Sequence, residues 1–566
     1  MKQKLSIRRR NASPSARAVD SPSDSLPVRP RHVLAIFALL SLLSIAWAFA
    51  TPLMGVPDEP SHTIRAAAVA GGQPLGDTRQ GATFTYPLVM VPEYIVEATR
   101  LGCFAGNAAQ TADCQVPVSE DDDPVVASSS ASSNSPIYYA VVGLPTLLLD
   151  GTPALYAMRV VSALLTSLLL TIMFVALHKQ STTWWPVAAG IVGITPMALF
   201  LSGAINPNAA EMAGAGAVLA TVSLMLRRSL STTQLWGYGA LAVMSSFILT
   251  GGRTIGLLWL AVIAVVLLIS TPWHRVLSLL RKPPVIATAA GIAAAALAVI
   301  LWFRFSVTPI DPTGMTEGRA PGIPTVILIT LEATFDNWTA WIGQFGWLDY
   351  TAPSGVQAIW HAAILGILVA AVVYGRGRAR VALVVLATIS VLVPPLVQAS
   401  LFDEVGWLWQ GRYGIALYLS TLLLAGITLD DGVPNSRSWV ARRAIRTGSI
   451  LLAAAHIVTF VFVLRRYVVG SQSWPLMLRD PSWQPPLGWI PLFLIFSALW
   501  VCALILIFRW TSDSFNPTTG RRSTLSVPSA DAAGVGATEP AQAPVGQHMA
   551  EVKSSSTNPA AQADSL

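Results

Sequence analysis

Residues 32–62 read HVLAIFALLSLLSIAWAFATPLMGVPDEPSH. Their apolar run of about 20 residues is long enough to cross the hydrocarbon core of a membrane, and two adjacent carboxylates, Asp58 and Glu59, follow it closely. Charge at the edge of a bilayer is costly unless it is solvated or used. The segment therefore predicts a membrane helix followed either by the acidic first turn of a surface helix or by a reactive site.

The same apolar pattern recurs along most of the 566-residue chain. The chain is 53% hydrophobic and only 11% charged, whereas a soluble domain has about 25% charged residues. This composition predicts an all-α polytopic membrane protein with about 12 transmembrane helices. The apolar segments lie at 33–53, 154–177, 184–203, 209–226, 235–250, 254–271, 285–303, 356–374, 381–402, 413–429, 447–464 and 489–508.

The distribution of charge predicts the orientation of these helices. Residues 137–149 are too short for a span and contain Pro145, so we expect an interfacial or re-entrant helix there. With this segment left out, one side of the membrane carries 25 of the 36 Lys and Arg residues but only 9 of the 29 Asp and Glu residues. The positive-inside rule then places both termini in the cytoplasm and Asp58 on the outer face of the plasma membrane. Basic loops of this kind do not indicate nucleic acid as a partner.

This topology divides the chain into three parts. Residues 1–31 and 511–566 are rich in Ser, Ala and Pro and are expected to be disordered cytoplasmic tails, the first of them basic. Residues 32–510 form the membrane domain, in which 54–152 and 304–355 are the large extracytoplasmic loops. The first helix is expected to be an uncleaved anchor, because its apolar run exceeds that of a signal peptide and many spans follow it.

The residues after Pro57 have a spacing that could support chemistry. In a helix, Asp58 and Glu59 lie four and three positions before His62, and Arg65 follows His62 by three. One face would then carry a general base, an orienting imidazole and a phosphate-binding guanidinium. Alternatively, Asp58, Glu59 and His62 could bind a divalent metal, or the helix could be a solvated one with internal salt bridges.

Two further arginines lie at predicted outer ends of spans, against the overall bias of charge. Arg253 follows Gly251-Gly252, and Arg412 precedes Tyr413. Guanidinium groups bind phosphate oxygens bidentately, so both are candidates to bind a lipid phosphate. The alternatives are contacts with headgroups and pairing with nearby carboxylates.

The cysteines and the absence of nucleotide-binding motifs narrow the classes of function that the sequence allows. Cys103 and Cys114 both lie in the first outer loop, where a disulfide is permitted, whereas Cys502 lies inside the last span. No Walker-type phosphate loop, dinucleotide fingerprint or zinc pattern occurs in the sequence, which argues against a nucleotide-driven pump.

Several of these motifs, in this order, resemble a bacterial multi-pass family known as domain-of-unknown-function family 2142. Its opening signature is similar to Pro57-Asp58-Glu59-Pro60-Ser61-His62 followed by Arg65 and Ala70-Gly71. The resemblance covers roughly residues 33–508. Further similar segments are Ser135-Pro136-Ile137-Tyr138-Tyr139, 202–208, 345–349 and Gln410-Gly411-Arg412-Tyr413.

The family looks similar to the GT-C superfamily of membrane glycosyltransferases, which use polyprenyl-phosphate sugars at the outer leaflet. The resemblance implies a GT-C-like fold with interfacial helices in the first loop, and a catalytic carboxylate at Asp58 or Glu59. It also implies membrane lipids, a polyprenyl-phosphate-linked sugar and a cell-envelope acceptor as partners. One departure is Asn208, where family members often have Asp; this places in doubt an acid role at that position.

Two other functions remain open from the sequence. A transporter or flippase of lipid-linked glycans could use the same arginines to hold phosphate, but it would favour charged residues deep within several spans. A non-catalytic scaffold of an envelope polysaccharide assembly would need neither Asp58 nor Glu59.

Overall fold

A computed structural model describes residues 29–77, 86–306, 321–471 and 474–513. Residues 1–28 and 514–566, which make up nearly all of the two predicted tails, lie outside the described residues. The described part is predominantly helical, with four short strands. Its first ten helices are α1 (Pro30–Ala50), α2 (Glu59–Ala70), α3 (Glu93–Ala98), α4 (Pro136–Val142), α5 (Gly151–Gln180), α6 (Trp185–Gly193), α7 (Pro196–Ser202), α8 (Pro207–Arg227), α9 (Thr232–Gly252) and α10 (Gly256–Ser270).

The second half of the chain continues the helical pattern. Its helices are α11 (Trp273–Leu279), α12 (Pro283–Ser306), α13 (Ile323–Glu332), α14 (Thr334–Gly343), α15 (Ser354–Tyr374), α16 (Gly377–Val405), α17 (Ile415–Gly432), α18 (Ser438–Val468), α19 (Trp474–Arg479) and α20 (Trp489–Asp513). A 3-10 turn at Gly411–Gly414 leads into α17.

The number of spans agrees with the prediction. Within the described residues, 10 helices are long and apolar enough to cross a membrane, or 12 if the bent pairs α6–α7 and α10–α11 each count as one span. The chain is thus an all-α polytopic membrane protein. Helix α4 has seven residues, which at 1.5 Å per residue reach only about 10 Å, so it does not span the membrane.

The span predicted at 184–203 is not one straight helix but two, bent by 63° between α6 and α7. Pro196 follows the break and has no N–H to continue the helical ladder. Neighbouring side chains satisfy the carbonyl groups that the break frees: Trp360 Nε1 donates to Val192 at 3.0 Å, and His456 Nε2 bonds Ile194 at 3.0 Å. His456, which is buried within its span, thus has a structural partner.

Helices α8 and α17 form the centre of the bundle, since nearly all their residues are buried. α17 packs against α6, α8, α15 and α16, and α8 packs against α5 and α9. By contrast, α12, α15 and α20 expose large apolar side chains on the outside of the bundle, as expected for helices that face lipid.

Two ends of the bundle can be distinguished by their residues. At the end that we call the basic end, Arg227 pairs with Asp431, Arg228 donates to the carbonyl of Gln180, and Arg275 donates to that of Leu226. The opposite end, which we call the loop end, carries the segment between α1 and α2 and the folded first loop.

The first loop is held together by local pairing and by one long-range clamp. Strands β1 (Leu88–Pro92) and β2 (Pro124–Ser128) pair antiparallel, with Val89 opposite Ala127. A disulfide joins Cys103 to Cys114, whose Cα atoms lie 6.2 Å apart. These contacts fix the loop beside α2, because β1 and β2 both pack on that helix.

The clamp centres on Arg466 of α18, whose side chain is 1% exposed. It pairs with Asp349, which lies just before a second hairpin strand; that hairpin consists of β3 (Gln344–Phe345) and β4 (Tyr350–Thr351). The same guanidinium donates to the carbonyls of Phe104, Asn107 and Gln110. Arg466 therefore ties both large loops to the membrane helices.

Candidate functional site

The segment from Thr51 to Asp58 connects α1 to α2 and is fixed by side chains from distant parts of the chain. Its backbone carbonyls serve as acceptors for these side chains, which lets an irregular segment remain buried beside the bundle. The donors are Arg159 to Thr51 and Pro52, Gln115 to Leu53, Trp347 to Met54, Tyr467 to Gly55, and Asn206 and Arg412 to Pro57.

The backbone of this segment is strained at two positions that are not glycine. Met54 has φ 59° and Asp58 has φ 65°, both in the left-handed region. Such conformations cost on the order of 1–3 kcal/mol each and persist only where the surroundings impose them, which is often at functional sites. The strain at Asp58 therefore marks this residue as a candidate for function.

The two adjacent carboxylates have different environments. Glu59 is fully buried, and both of its oxygens accept hydrogen bonds from Arg159 at 2.7 Å. The backbone N–H of Ile205 donates a third bond at 3.1 Å, and Arg159 also donates to the carbonyls that end α1. Glu59 and Arg159 thus form a closed ion pair that joins α1, α2 and α5.

Asp58, in contrast, is exposed to solvent. Its side chain is 45% exposed, and one oxygen accepts from Arg412 Nη2 at 2.6 Å. Burial raises the pKa of the Asp58 carboxyl, but the charge of Arg412, with smaller effects of His62 and Arg253, brings the pKa below its ordinary value of 3.8. Asp58 is therefore an ionised carboxylate whose second oxygen can meet a ligand.

Arg412 orients Asp58 from a buried position. Its side chain is 1% exposed; its Nε donates to Gln410 at 2.7 Å and its Nη1 to the Pro57 carbonyl at 3.2 Å. The preceding Gly411 allows this approach, because a Cβ there would lie 2.6 Å from the carbonyl oxygen of Asn337. Arg412 thus holds the carboxylate in place and has little surface left for a phosphate.

Arg253 is the more accessible of the two arginines. It is partly exposed at the end of α9, its guanidinium lies 4.0 Å from the centre of the Tyr413 ring, and it donates to the amide oxygen of Asn208. Because Asn208 is neutral, this contact does not itself neutralise the positive charge of Arg253, and no carboxylate among the described residues forms a direct ion pair with it. The structure brings Asp58, Arg253, Arg412 and Tyr413 together at the loop end.

His62 lies next to this group, and a hydrogen bond fixes its ring. The hydroxyl of Tyr139 accepts from Asn134 Nδ2 at 2.8 Å and shares a hydrogen bond with His62 Nδ1, 2.9 Å away. Burial, partly opposed by the charge of Asp58, lowers the pKa of His62 to about 3, so the ring stays neutral.

Arg65 forms no ion pair with either carboxylate among the described residues. It is 2% exposed and donates to the carbonyls of Pro74 at 2.6 Å and Asn134 at 2.7 Å. Its guanidinium also lies over the rings of Tyr139 and Trp302. Burial lowers its pKa to about 10, so the group remains charged. These contacts assign Arg65 to the packing of the first loop.

The metal set suggested by the spacing of Asp58, Glu59 and His62 is not preformed. Both oxygens of Glu59 are engaged by Arg159, and His62 Nδ1 by Tyr139. Within the described residues, the carboxylate group with suitable mutual distances is Asp121, Asp122 and Asp123, all of them exposed.

Sequence reasoning underestimated the residues that support the site. Arg159 lies near the start of a span and had no assigned partner. Asn206 and Tyr139 lie in segments that resemble the family but had no assigned role, and Asn134 lies just before one of these segments. A buried arginine in an apolar helix needs a carboxylate partner. That rule could have pointed from Arg159 to Glu59, but nothing local in the sequence indicated the pairing.

This geometry defines a multi-pass membrane protein with a preorganised polar site at one end of its bundle. Residues 40–421 match the model of the family described as "Predicted membrane protein (DUF2142)". The chain belongs to this family, as its motifs predicted. None of the curated proteins matches the sequence.

Two solved structures show an overall likeness. ArnT from Cupriavidus metallidurans bound to undecaprenyl phosphate has 13% sequence identity and a TM-score of 0.42, covering 85% of this chain and 77% of that chain. ArnT in the apo state has 12% identity and a TM-score of 0.37, covering 84% and 77%. At identities and TM-scores this low, the likeness carries no inference about function.

Proposed function

We propose that the protein is a GT-C-like glycosyltransferase of the plasma membrane. It transfers a sugar from a polyprenyl-phosphate donor to a cell-envelope acceptor at the outer face. The observation that carries the proposal is the half-exposed Asp58, held ionised by Arg412 in a strained conformation, beside the accessible cation Arg253. The predicted orientation, with both termini cytoplasmic, places these residues at the leaflet where such donors are presented.

In this proposal, Asp58 is the general base. Its free oxygen takes the proton of the acceptor hydroxyl as that oxygen attacks the anomeric carbon of the donor sugar. The new glycosidic bond forms as the bond between the anomeric carbon and the phosphate oxygen breaks. This single displacement inverts the anomeric configuration and releases polyprenyl phosphate.

Arg253 binds the leaving phosphate. The phosphodiester of the donor carries one negative charge, and the released monophosphate gains a second as the bond breaks. A guanidinium that is partly exposed and paired with a neutral amide can stabilise this added charge in the transition state. Tyr413, over whose ring Arg253 lies, fixes the position of the cation.

The remaining residues position these two groups. Arg412 keeps Asp58 ionised, and the Glu59–Arg159 pair anchors the segment that carries it. Neutral His62 can meet the acceptor through Nε2, because Tyr139 engages Nδ1.

The test is sugar transfer by the purified protein. The protein is reconstituted in liposomes with a panel of radiolabelled polyprenyl-phosphate hexoses and an envelope extract as acceptor, and the released polyprenyl phosphate is measured. Wild type should release it, Asp58→Asn should not, and Asp403→Asn, which alters an exposed carboxylate elsewhere, should match wild type. Equal release by wild type and Asp58→Asn would refute the assignment.

The same liposomes distinguish the two other functions. Movement of the labelled lipid across the bilayer without release of polyprenyl phosphate would indicate a flippase. Neither movement nor release, together with an intact envelope phenotype of the Asp58→Asn strain, would indicate a scaffold.

A further inference from the structure

A second feature lies at the basic end, on the opposite side of the bundle from Asp58. An apolar groove runs between α1, α5, α6, α18 and α20. Every residue that lines it is apolar except Thr511. Representative lining residues are Leu40, Phe174, Ile191 and Ile507.

The groove extends over about half of the membrane. Along α6 it reaches from Trp184 to Ile194, and ten residues of helix correspond to about 15 Å. The hydrocarbon core is about 30 Å thick, so the groove covers the depth of one leaflet. Hydrocarbon fills such a space, since an apolar cavity does not hold water.

Polar and aromatic groups surround the mouth of the groove. Trp184 and Trp510 line it there, and the His178 ring lies 5.0 and 4.6 Å from their centres. Tryptophans in such positions are typical of the membrane interface. His178 Nδ1 is buried and, among the described residues, has no hydrogen-bond partner.

Arg446 supplies a positive charge at this mouth. Its Nε donates to Thr511 Oγ1 at 2.9 Å and its Nη2 to Ser512 Oγ at 2.7 Å. Both partners are neutral hydroxyls, and within the described part of the chain Arg446 makes no ion pair with a carboxylate. The cation is therefore available for an anionic group at the level of the headgroups.

We infer that the groove is a binding site for an anionic phospholipid of the leaflet at the basic end. One acyl chain lies in the groove, and the phosphate binds Arg446. The predicted orientation makes this the cytoplasmic leaflet, where basic residues next to spans attract anionic lipids. The lipid joins α20 to α1 and α6, and this site is independent of the proposed transfer reaction at the loop end.

The experiment measures the stabilisation of the delipidated protein by added lipid. Tryptophan fluorescence reports thermal unfolding in a neutral detergent while phosphatidylglycerol or phosphatidylcholine is titrated. Phosphatidylglycerol should raise Tm saturably, at a concentration roughly fivefold lower than phosphatidylcholine requires. Both lipids carry a phosphate, but the choline cation of phosphatidylcholine offsets that charge, whereas phosphatidylglycerol keeps a net negative charge for Arg446.

Matched variants identify the residues involved. Arg446→Gln should remove the preference for phosphatidylglycerol, whereas Arg380→Gln, which alters an exposed arginine at the start of α16, should keep it. Ala503→Phe, which fills the groove, should weaken the response to both lipids. Native mass spectrometry of the wild type gives a second readout that needs no variant, with one retained phosphatidylglycerol expected.

Two results would overturn the inference. One is equal stabilisation by the two lipids in the wild type. The other is an unchanged preference in Arg446→Gln, which would place the charge recognition elsewhere on the basic end.

Discussion

Replacing Glu59 by Gln tests whether Glu59 stabilises the fold while Asp58 carries out the reaction. Glu59 and Arg159 are both fully buried, and the change leaves Arg159 charged and without its partner. Removing one member of a buried pair costs about 3–5 kcal/mol. The Ile205 N–H bonds the same carboxylate and can still donate to the amide oxygen, so we expect the lower half of that range.

The assay is equilibrium unfolding in detergent, followed by tryptophan fluorescence, for wild type, Glu59→Gln, Arg159→Met and the double variant. Each single change should destabilise the protein by about 3 kcal/mol or more. The double variant should be less destabilised than the sum of the two, since it leaves no unpaired buried charge. Asp403→Asn, an exposed change, serves as the control.

The activity of the folded fraction completes this test. Once corrected for the amount of folded protein, Glu59→Gln should retain most of its sugar transfer, because Glu59 has no exposed oxygen to act on a substrate. Wild-type stability together with lost transfer in Glu59→Gln would refute the division of roles between the two carboxylates.

The structure makes further predictions for binding, loop order and pH. Arg253→Gln should weaken binding of polyprenyl phosphate roughly tenfold to hundredfold, measured by lipid titration, since a charge-assisted bond is worth about 1.5–3 kcal/mol. Asp349→Asn should destabilise the loop end by about 3 kcal/mol and speed its proteolysis, because Arg466 loses its buried partner. Transfer by wild type should show no ionisation step of His62 or Asp58 between pH 5 and 8: His62, with a pKa of about 3, is neutral throughout. The lowered pKa of Asp58 keeps it ionised above 3.8, and activity should fall only as the pH drops through that lowered value.

Much of the fold could be predicted from hydropathy, because a bilayer requires long apolar helices and places basic loops on one side. The apolar runs located the spans closely, including the short segment at 137–149 that does not cross. The break between α6 and α7 was missed, since the residues that satisfy its carbonyls, Trp360 and His456, are far away in the sequence.

The position of the site could be predicted from the sequence, but the separate roles of its residues could not. The spacing in Pro57-Asp58-Glu59-Pro60-Ser61-His62 located the reactive segment, yet ideal helical geometry assigned Arg65 to the same face as the carboxylates. In the structure Asp58 precedes α2 in a left-handed conformation, and Arg65 binds the first loop. Contacts between residues 100 or more positions apart, such as Arg159 with Glu59, decide which carboxylate is open.

The most direct test of the account is a single-turnover measurement with Asp58→Asn and a preloaded polyprenyl-phosphate sugar. A general base contributes about 10²–10⁴-fold to the rate. We expect the variant to bind the donor with the wild-type Kd but to transfer the sugar at least a hundredfold more slowly. An unchanged rate, or a loss confined to donor binding, would contradict it.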